Sequence, residues 1–535
     1  MRLRGPAAIA LLTLAYVVLA GAAVHSDRML HDEGLLTHLL ASLVGRAPAA
    51  TIFLQKARPP LALLHAPVAA LGLGPFLWVH VLVCATAVGL VASTARRLGH
   101  ARPEIAAAVV ALSPMYVAAG AAGLMNADAV VGMALVAWLW AGGRTLAAGL
   151  CMGALVWVRA ELAVPALVMA ALAIGRRQPR MLAGLAGFPL AYGLAGAVYH
   201  RDALWMLHFP PALAEPMPDN PFWQAHHAQA SLPPVVAALL ALTPAVAVLG
   251  AWRGSRATTI ERAGLAWCGL LFAALVLLPR WQVFNFDLSP RYLLPLLPML
   301  ALAVGRVVDD LGPEADSAPG LRRALGLAVF AGLAVATERL GGGAAALGVG
   351  LVASAVMALA GAGWLRASWV VLGALLAVGP LALTDGARIA RHQLAPALDE
   401  MCARLAEHPE WASRPIYTNE PLLAAFLERS GGLPGRDVRY LVQADQLHEL
   451  SSLSNPASGQ RQALLQALRG GFYGTPVFPD ELVPERVAPG AVFVLRDDPR
   501  LSLVMPPQSW AGLVRVVHPG LGMTIAVRVD PEASR

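Results

Sequence analysis

Charge is what this chain has least of. Of its 535 residues only 14% are Asp, Glu, Lys or Arg, against roughly 25% in an ordinary soluble domain. That shortage, with 57% hydrophobic residues and a mean hydropathy of +0.61, excludes a soluble enzyme and a disordered chain. Cysteine is scarce too. Cys84, Cys151 and Cys268 fall inside apolar runs and Cys402 stands alone near the C-terminus, so no disulfide framework can be built outside the cell. Lysine occurs once, at Lys56. A composition so rich in Ala, Arg, Leu and Gly attributes this to codon bias and gives it little weight. What remains is a polytopic α-helical membrane protein.

Apolar runs of about 20 residues, the length that crosses a bilayer, recur from the N-terminus to Thr384 and then stop. They make about thirteen expected spans, the weakest around residues 145–158 and 324–337. The first run, Pro6 to Val24, is too long for a signal peptide and lacks a small-residue cleavage site, so it counts as the first span. Residues 1–384 thus read as a transmembrane domain, with a long outer loop at 25–74. Residues 385–535 have the composition of a soluble domain.

The net charge of +7 divides unevenly: +9 in residues 1–384 and −2 in the tail. The excess is topological, and no nucleic-acid patch is needed to explain it. With Met1 to Arg4 in the cytoplasm, inner loops collect the clusters Arg96–Arg97, Arg176 to Arg180 and Arg253 to Arg262, as the positive-inside bias requires. An odd number of spans then leaves the tail outside. The expected location is a bacterial cytoplasmic membrane, with the N-terminus inside and the C-terminal domain extracytoplasmic.

The first outer loop spends the most uncommon residues. It holds the acidic pair Asp32–Glu33, followed by Leu35, Leu36, Leu39, Leu40, Leu43 and Val44 at helical spacing, with His38, Ser42 and Arg46 on other faces. This predicts an amphipathic helix lying in the outer interface. The loop leaves through Lys56-Ala57-Arg58-Pro59-Pro60-Leu61, where two prolines fix the backbone and display Arg58.

An acid pair directly after the first span, a helix, and a basic-Pro-Pro-Leu exit resemble the first outer loop of the GT-C class of integral-membrane glycosyltransferases. The branch most similar contains protein O-mannosyltransferases and the aminoarabinose transferase of lipid A. Residues 111–135, with Asp128 after a short turn, are similar to the third and fourth spans of the class. SPRYLLPLLPMLALAVGRVVD (289–309) resembles its late Arg-Tyr-Leu-Leu-Pro span, with Arg291 and Tyr292 at the outer entrance, and WVRAELAVPALV (157–168) is similar to its Arg-Pro-Glu turn.

The resemblance implies an inverting transferase that takes a monosaccharide, hexose or pentose, from a polyprenyl-phosphate carrier. The acceptor is a hydroxyl of a glycolipid, polysaccharide or protein on the outer side. The chemistry agrees. A lipid-linked phosphate at the interface needs cations at that depth, and arginine is always charged and makes forked contacts to phosphate oxygens. Arg58 and Arg291 are the candidates, with Lys56 beside them. The acceptor hydroxyl needs a base, for which Asp32 is the first choice and Glu33 the second.

Around this core, Arg159 and Glu161 pair with each other or line the cavity together with Tyr292. Asp128 has two readings, of which capping its helix N-terminus is favoured over direct catalysis. The outer loop from Tyr199 to Leu232 carries His208, Glu215, Asp219, His226 and His227. A divalent metal is one reading of this loop, but the spacing matches no closed metal site; no cofactor is required, and His208 is read as a sugar or phosphate contact.

The tail reads as α/β, with strands at RPIYT and GAVFVL, helices at 420–429 and 459–468, and a terminal hairpin. Two rival functions remain open: a transporter or lipid flippase, which should carry repeats and midplane charges that the sequence lacks, and a polysaccharide polymerase or ligase using a pyrophosphate-linked donor.

Overall fold

A computed structural model describes residues 5–25, 32–54, 57–208, 258–280, 290–310, 395–419, 437–441, 459–469, 475–477, 486–496, 514–519 and 523–528. The chain divides into two compact units. The first comprises Met1–Val24, Leu77–Gly193 and Ala212–Ala390; the second comprises His25–Phe76, Leu194–Pro211 and Arg391–Arg535.

The first unit is helical. Among the described residues three helices are long and apolar enough to cross a membrane: Pro6–Val24 (α1), Leu73–Arg97 (α5) and Pro179–His200 (α11). A further apolar pair of helices is bent. Pro103–Ala111 (α6) and Pro114–Ala121 (α7) follow one another with a 57° bend. Pro114 has no amide hydrogen with which to continue α6. Further helices complete the described part: the shorter Met125–Ala141 (α8), Thr145–Leu155 (α9), Ala163–Gly175 (α10) and Leu297–Asp310 (α14), and the 22-residue Thr259–Arg280 (α13), while the single turn Trp205–His208 (α12) follows α11. The expected weak span at 145–158 ends as a helix at Leu155 and gives way to a 3₁₀ turn at Ala160–Leu162. The one expected at 324–337 lies outside the described residues.

Glycine decides how closely α9 and α11 approach. A Cβ on Gly149 would meet the backbone of Met181 and Gly184, and one on Gly184 would meet the backbone of Leu146 and Gly149. Small residues at such a crossing let backbones touch, which is how apolar helices gain contact where lipid offers no hydrophobic driving force. A buried ionic cluster ties the turn after α5 to α13 and α14. His100 Nε2 lies 2.8 Å from Glu261 Oε1, Arg306 Nε donates to the same oxygen at 2.9 Å, and Arg306 also donates to the Leu98 carbonyl at 2.7 Å. Cys84, Cys151, Cys268 and Cys402 are free thiols.

In the second unit, the first loop folds together with the tail. The loop supplies Asp32–Val44 (α2), Pro48–Ile52 (α3) and Pro59–Ala69 (α4). The tail supplies Ala395–Glu407 (α15), Gln460–Arg469 (α16) and a six-stranded sheet. The strands are Ile416–Thr418 (β1), Val438–Leu441 (β2), Thr475–Val477 (β3), Val492–Arg496 (β4), Val514–Pro519 (β5) and Met523–Arg528 (β6), in the order β3-β2-β1-β4-β6-β5. The first four are parallel; β6 runs antiparallel to β4 and β5 to β6. The expected helix at 420–429 lies outside the described residues.

The apolar stripe of α2 is covered by protein. Leu40, Leu43 and Val44 pack with Ala50 and Leu54 against Leu464 and Ala467 of α16. Two polar clamps flank this cluster: Gln460 Nε2 donates to the Ala50 carbonyl at 2.8 Å, and Arg46 donates to the Ala467 carbonyl at 3.2 Å, where the C-terminal turn of α16 leaves carbonyls without helical partners.

Candidate functional site

The sequence-predicted residues fall into three groups. The first lies in the second unit. Asp32 is the first residue of α2, with its side chain outside the described residues, and the half-buried Glu33 follows it. Lys56 also lies outside them. Arg58 immediately precedes α4, with φ −121° and ψ 72°, and Pro59 and Pro60 occupy the first helical positions, where a missing N–H costs nothing. The Arg58 carbonyl accepts from Leu61 and Ala62 at 2.9 Å each. This locks the backbone that carries the guanidinium.

The second group lies in the helical unit and brings three predicted residues into contact. Arg159 Nε donates to Glu161 Oε1 at 2.7 Å, and the Arg159 guanidinium lies 4.6 Å from the centre of the Tyr292 ring. Arg159 and Glu161 are 6% and 5% exposed, a depth at which an ion pair is needed to hold either charge. The 3₁₀ turn Ala160–Leu162 makes the pair by setting Glu161 back against Arg159. Tyr292 belongs to a second 3₁₀ turn, Pro290–Leu296, so stacking on Arg159 also fixes the backbone of Arg291, whose side chain is outside the described residues. A positively charged arginine, oriented by a carboxylate and an aromatic face, lies next to a turn bearing another arginine.

Asp128 is separate from these. It sits in the first turn of α8, but the helix has no side-chain cap. Asp128 also has a partner across the helices: its Oδ2 lies 3.0 Å from His80 Nε2. His80 Nδ1 lies 2.7 Å from the Gly120 carbonyl, which can only accept, so Nδ1 carries a hydrogen. A carboxylate can likewise only accept. The pair therefore holds one shared proton and is neutral as a whole, in keeping with its complete burial. His80 was not singled out from the sequence. A lone histidine within an apolar span is the signal that points to such a partner.

His208 is exposed, with Nδ1 2.6 Å from Asp202 Oδ2, a contact that holds the Asp202 carboxyl below the usual carboxylate range. The remaining polar residues of that loop, Glu215, Asp219, His226 and His227, lie outside the described residues.

No family model matches the sequence, and no curated protein is similar to it. The fold is similar to that in the crystal structure of ArnT from Cupriavidus metallidurans bound to undecaprenyl phosphate, with a TM-score of 0.55 over 98% of each chain and 14% sequence identity. The chain shares its overall fold with that protein from end to end.

Proposed function

We propose that this protein is an inverting glycosyltransferase that moves one monosaccharide from a polyprenyl-phosphate carrier to an acceptor hydroxyl at the outer face of the cytoplasmic membrane. The observation that carries the reading is the likeness of fold, end to end, to a protein crystallised with undecaprenyl phosphate. It is supported by a sequence that puts an acid pair and a rigidly displayed arginine in the first loop.

In this reading Asp32 takes the proton from the acceptor hydroxyl, with Glu33 as its neighbour. The oxygen attacks the anomeric carbon from the face opposite the phosphate. The bond from that carbon to the phosphate oxygen breaks, and the carrier leaves with its charge on the phosphate. Arg58, Arg291 and Lys56 balance that charge, so no protonating acid is needed. Arg159, held by Glu161 and Tyr292, lines the cavity. Asp128 with His80 fixes α8 to α5, and His208 sits on the loop that follows α11. The tail, packed against the first loop, is the extracytoplasmic domain.

The test is Asp32→Asn in membranes supplied with a polyprenyl-phosphate hexose or pentose. Release of polyprenyl phosphate should fall by about 10²-fold or more, with the protein still inserted and folded. Undiminished release would remove Asp32 from the role of base.

A further inference from the structure

The ends of α5 and α8 lie side by side in the helical unit and gather two arginines onto one tryptophan. Arg97, the last residue of α5, donates from its guanidinium to the Trp138 carbonyl at 2.9 Å and lies 4.2 Å from the centre of the indole. Arg144 reaches the same ring from the other side of the turn after α8, at 5.5 Å. Gly143, with φ +72°, makes the chain reversal that brings it there. Trp138 Nε1 donates to Ser93 Oγ at 3.0 Å, so the platform itself is fixed to α5.

Both arginines are exposed, and among the described residues neither pairs with a carboxylate. The two ring distances put the guanidinium carbons within about 10 Å of each other. Stacking on an indole orients the two forks but does not neutralise them, so both remain available to one anion. A phosphate suits two guanidiniums, since each can make forked bonds to its oxygens. The surroundings narrow the source. Tryptophan and arginine at the ends of apolar helices lie at headgroup level. Leu146 and Leu150, 47% and 41% exposed and four residues apart, share one face of α9, the helix that begins just after Arg144.

We propose that Arg97 and Arg144, gathered on Trp138, bind the phosphate of an anionic phospholipid, with an acyl chain lying along Leu146 and Leu150. The site depends on the protein being in a membrane and is independent of the transferase reading.

Native mass spectrometry of the purified full-length protein, titrated with phosphatidylglycerol or with phosphatidylcholine of the same chains, tests it. Wild type should hold the first phosphatidylglycerol about tenfold more tightly than phosphatidylcholine. Arg97→Gln with Arg144→Gln should abolish the preference, whereas Arg177→Gln with Arg180→Gln, an equal loss of charge on another exposed cluster, should retain it. Arg97 also caps α8, so Arg144→Gln alone is the second variant. Its side chain makes no hydrogen bond among the described residues, and the change should weaken phosphatidylglycerol binding severalfold with unaltered melting. Three results would overturn the site: equal binding of both lipids by wild type, equal loss in the control pair, or displacement of the lipid by inorganic phosphate at concentrations comparable to the lipid's own.

Discussion

At the scale of single residues, burial sets the chemistry of His38. It lies on α2 with 4% of its surface exposed, between Phe76, whose ring centre is 5.2 Å away, and the Ala69 carbonyl, to which Nε2 donates at 3.2 Å. Burial outweighs the pull of that carbonyl and pushes the imidazole down to about 4 from an ordinary 6.5. Between those values the unfolded chain binds a proton that the folded chain refuses. Stability is therefore complete above pH 6.5 and declines as pH falls toward 4, by up to about 3 kcal/mol. Melting of the purified protein at pH 7.5 and pH 5 should show this loss. His38→Gln, which keeps a donor for Ala69, should remove His38's part of it, and an undiminished pH slope in that variant would contradict the assignment. The residue pattern shows why His38 went unremarked as a buried group. Its position off the leucine stripe places it on the polar face of an amphipathic helix, and only the return of Ala69 and Phe76 covers that face. Arg159 and Glu161 were legible because two charges in an apolar stretch need one another whatever else surrounds them, whereas the partner of Asp128 is 48 residues away at His80.

At the scale of elements, the first loop meets the tail where α2 packs against α16. Leu464 is fully buried there, among Leu40, Leu43, Val44 and Leu54. Leu464→Asp places a charge in that cluster without a partner and should cost about 3 kcal/mol or more, while Leu464→Met should cost less than about 1.5 kcal/mol. The readout is protease cutting within 459–469 in the full-length protein. Cutting should accelerate strongly in the Asp variant and remain slow in the Met variant; equal protection of both would mean that α16 is not held by α2. Of the tail's elements, β1, β4, β5, β6 and α16 were legible because they are continuous apolar or periodic runs set off by Pro, Gly or Asn. The short strands β2 and β3 were not. Arg439 interrupts the first and Pro476 the second, and their membership in the sheet comes from pairing with β1 and with each other. The apolar stretch at 145–158 reads as a span because hydropathy averages over the break that Arg159 and Glu161 enforce. The docking of α2 on α16 joins residues more than 400 positions apart, which no local pattern encodes.

At the scale of the whole molecule, composition alone dictates a membrane protein, and the order of a few charged residues in the first loop pointed toward the kind of fold that the likeness to ArnT then showed. What composition does not carry is the chemistry performed. Transfer and transport both need apolar helices and a lipid-phosphate site, and they differ in whether a bond is made. The decisive measurement is therefore made on the purified protein in vesicles, with a radiolabelled sugar on polyprenyl phosphate and an extract of cell-surface acceptors on the outer side. The account predicts that label accumulates on acceptor with inverted anomeric configuration, with one polyprenyl phosphate released for each sugar transferred. Label that crosses the bilayer while the donor stays intact would contradict it.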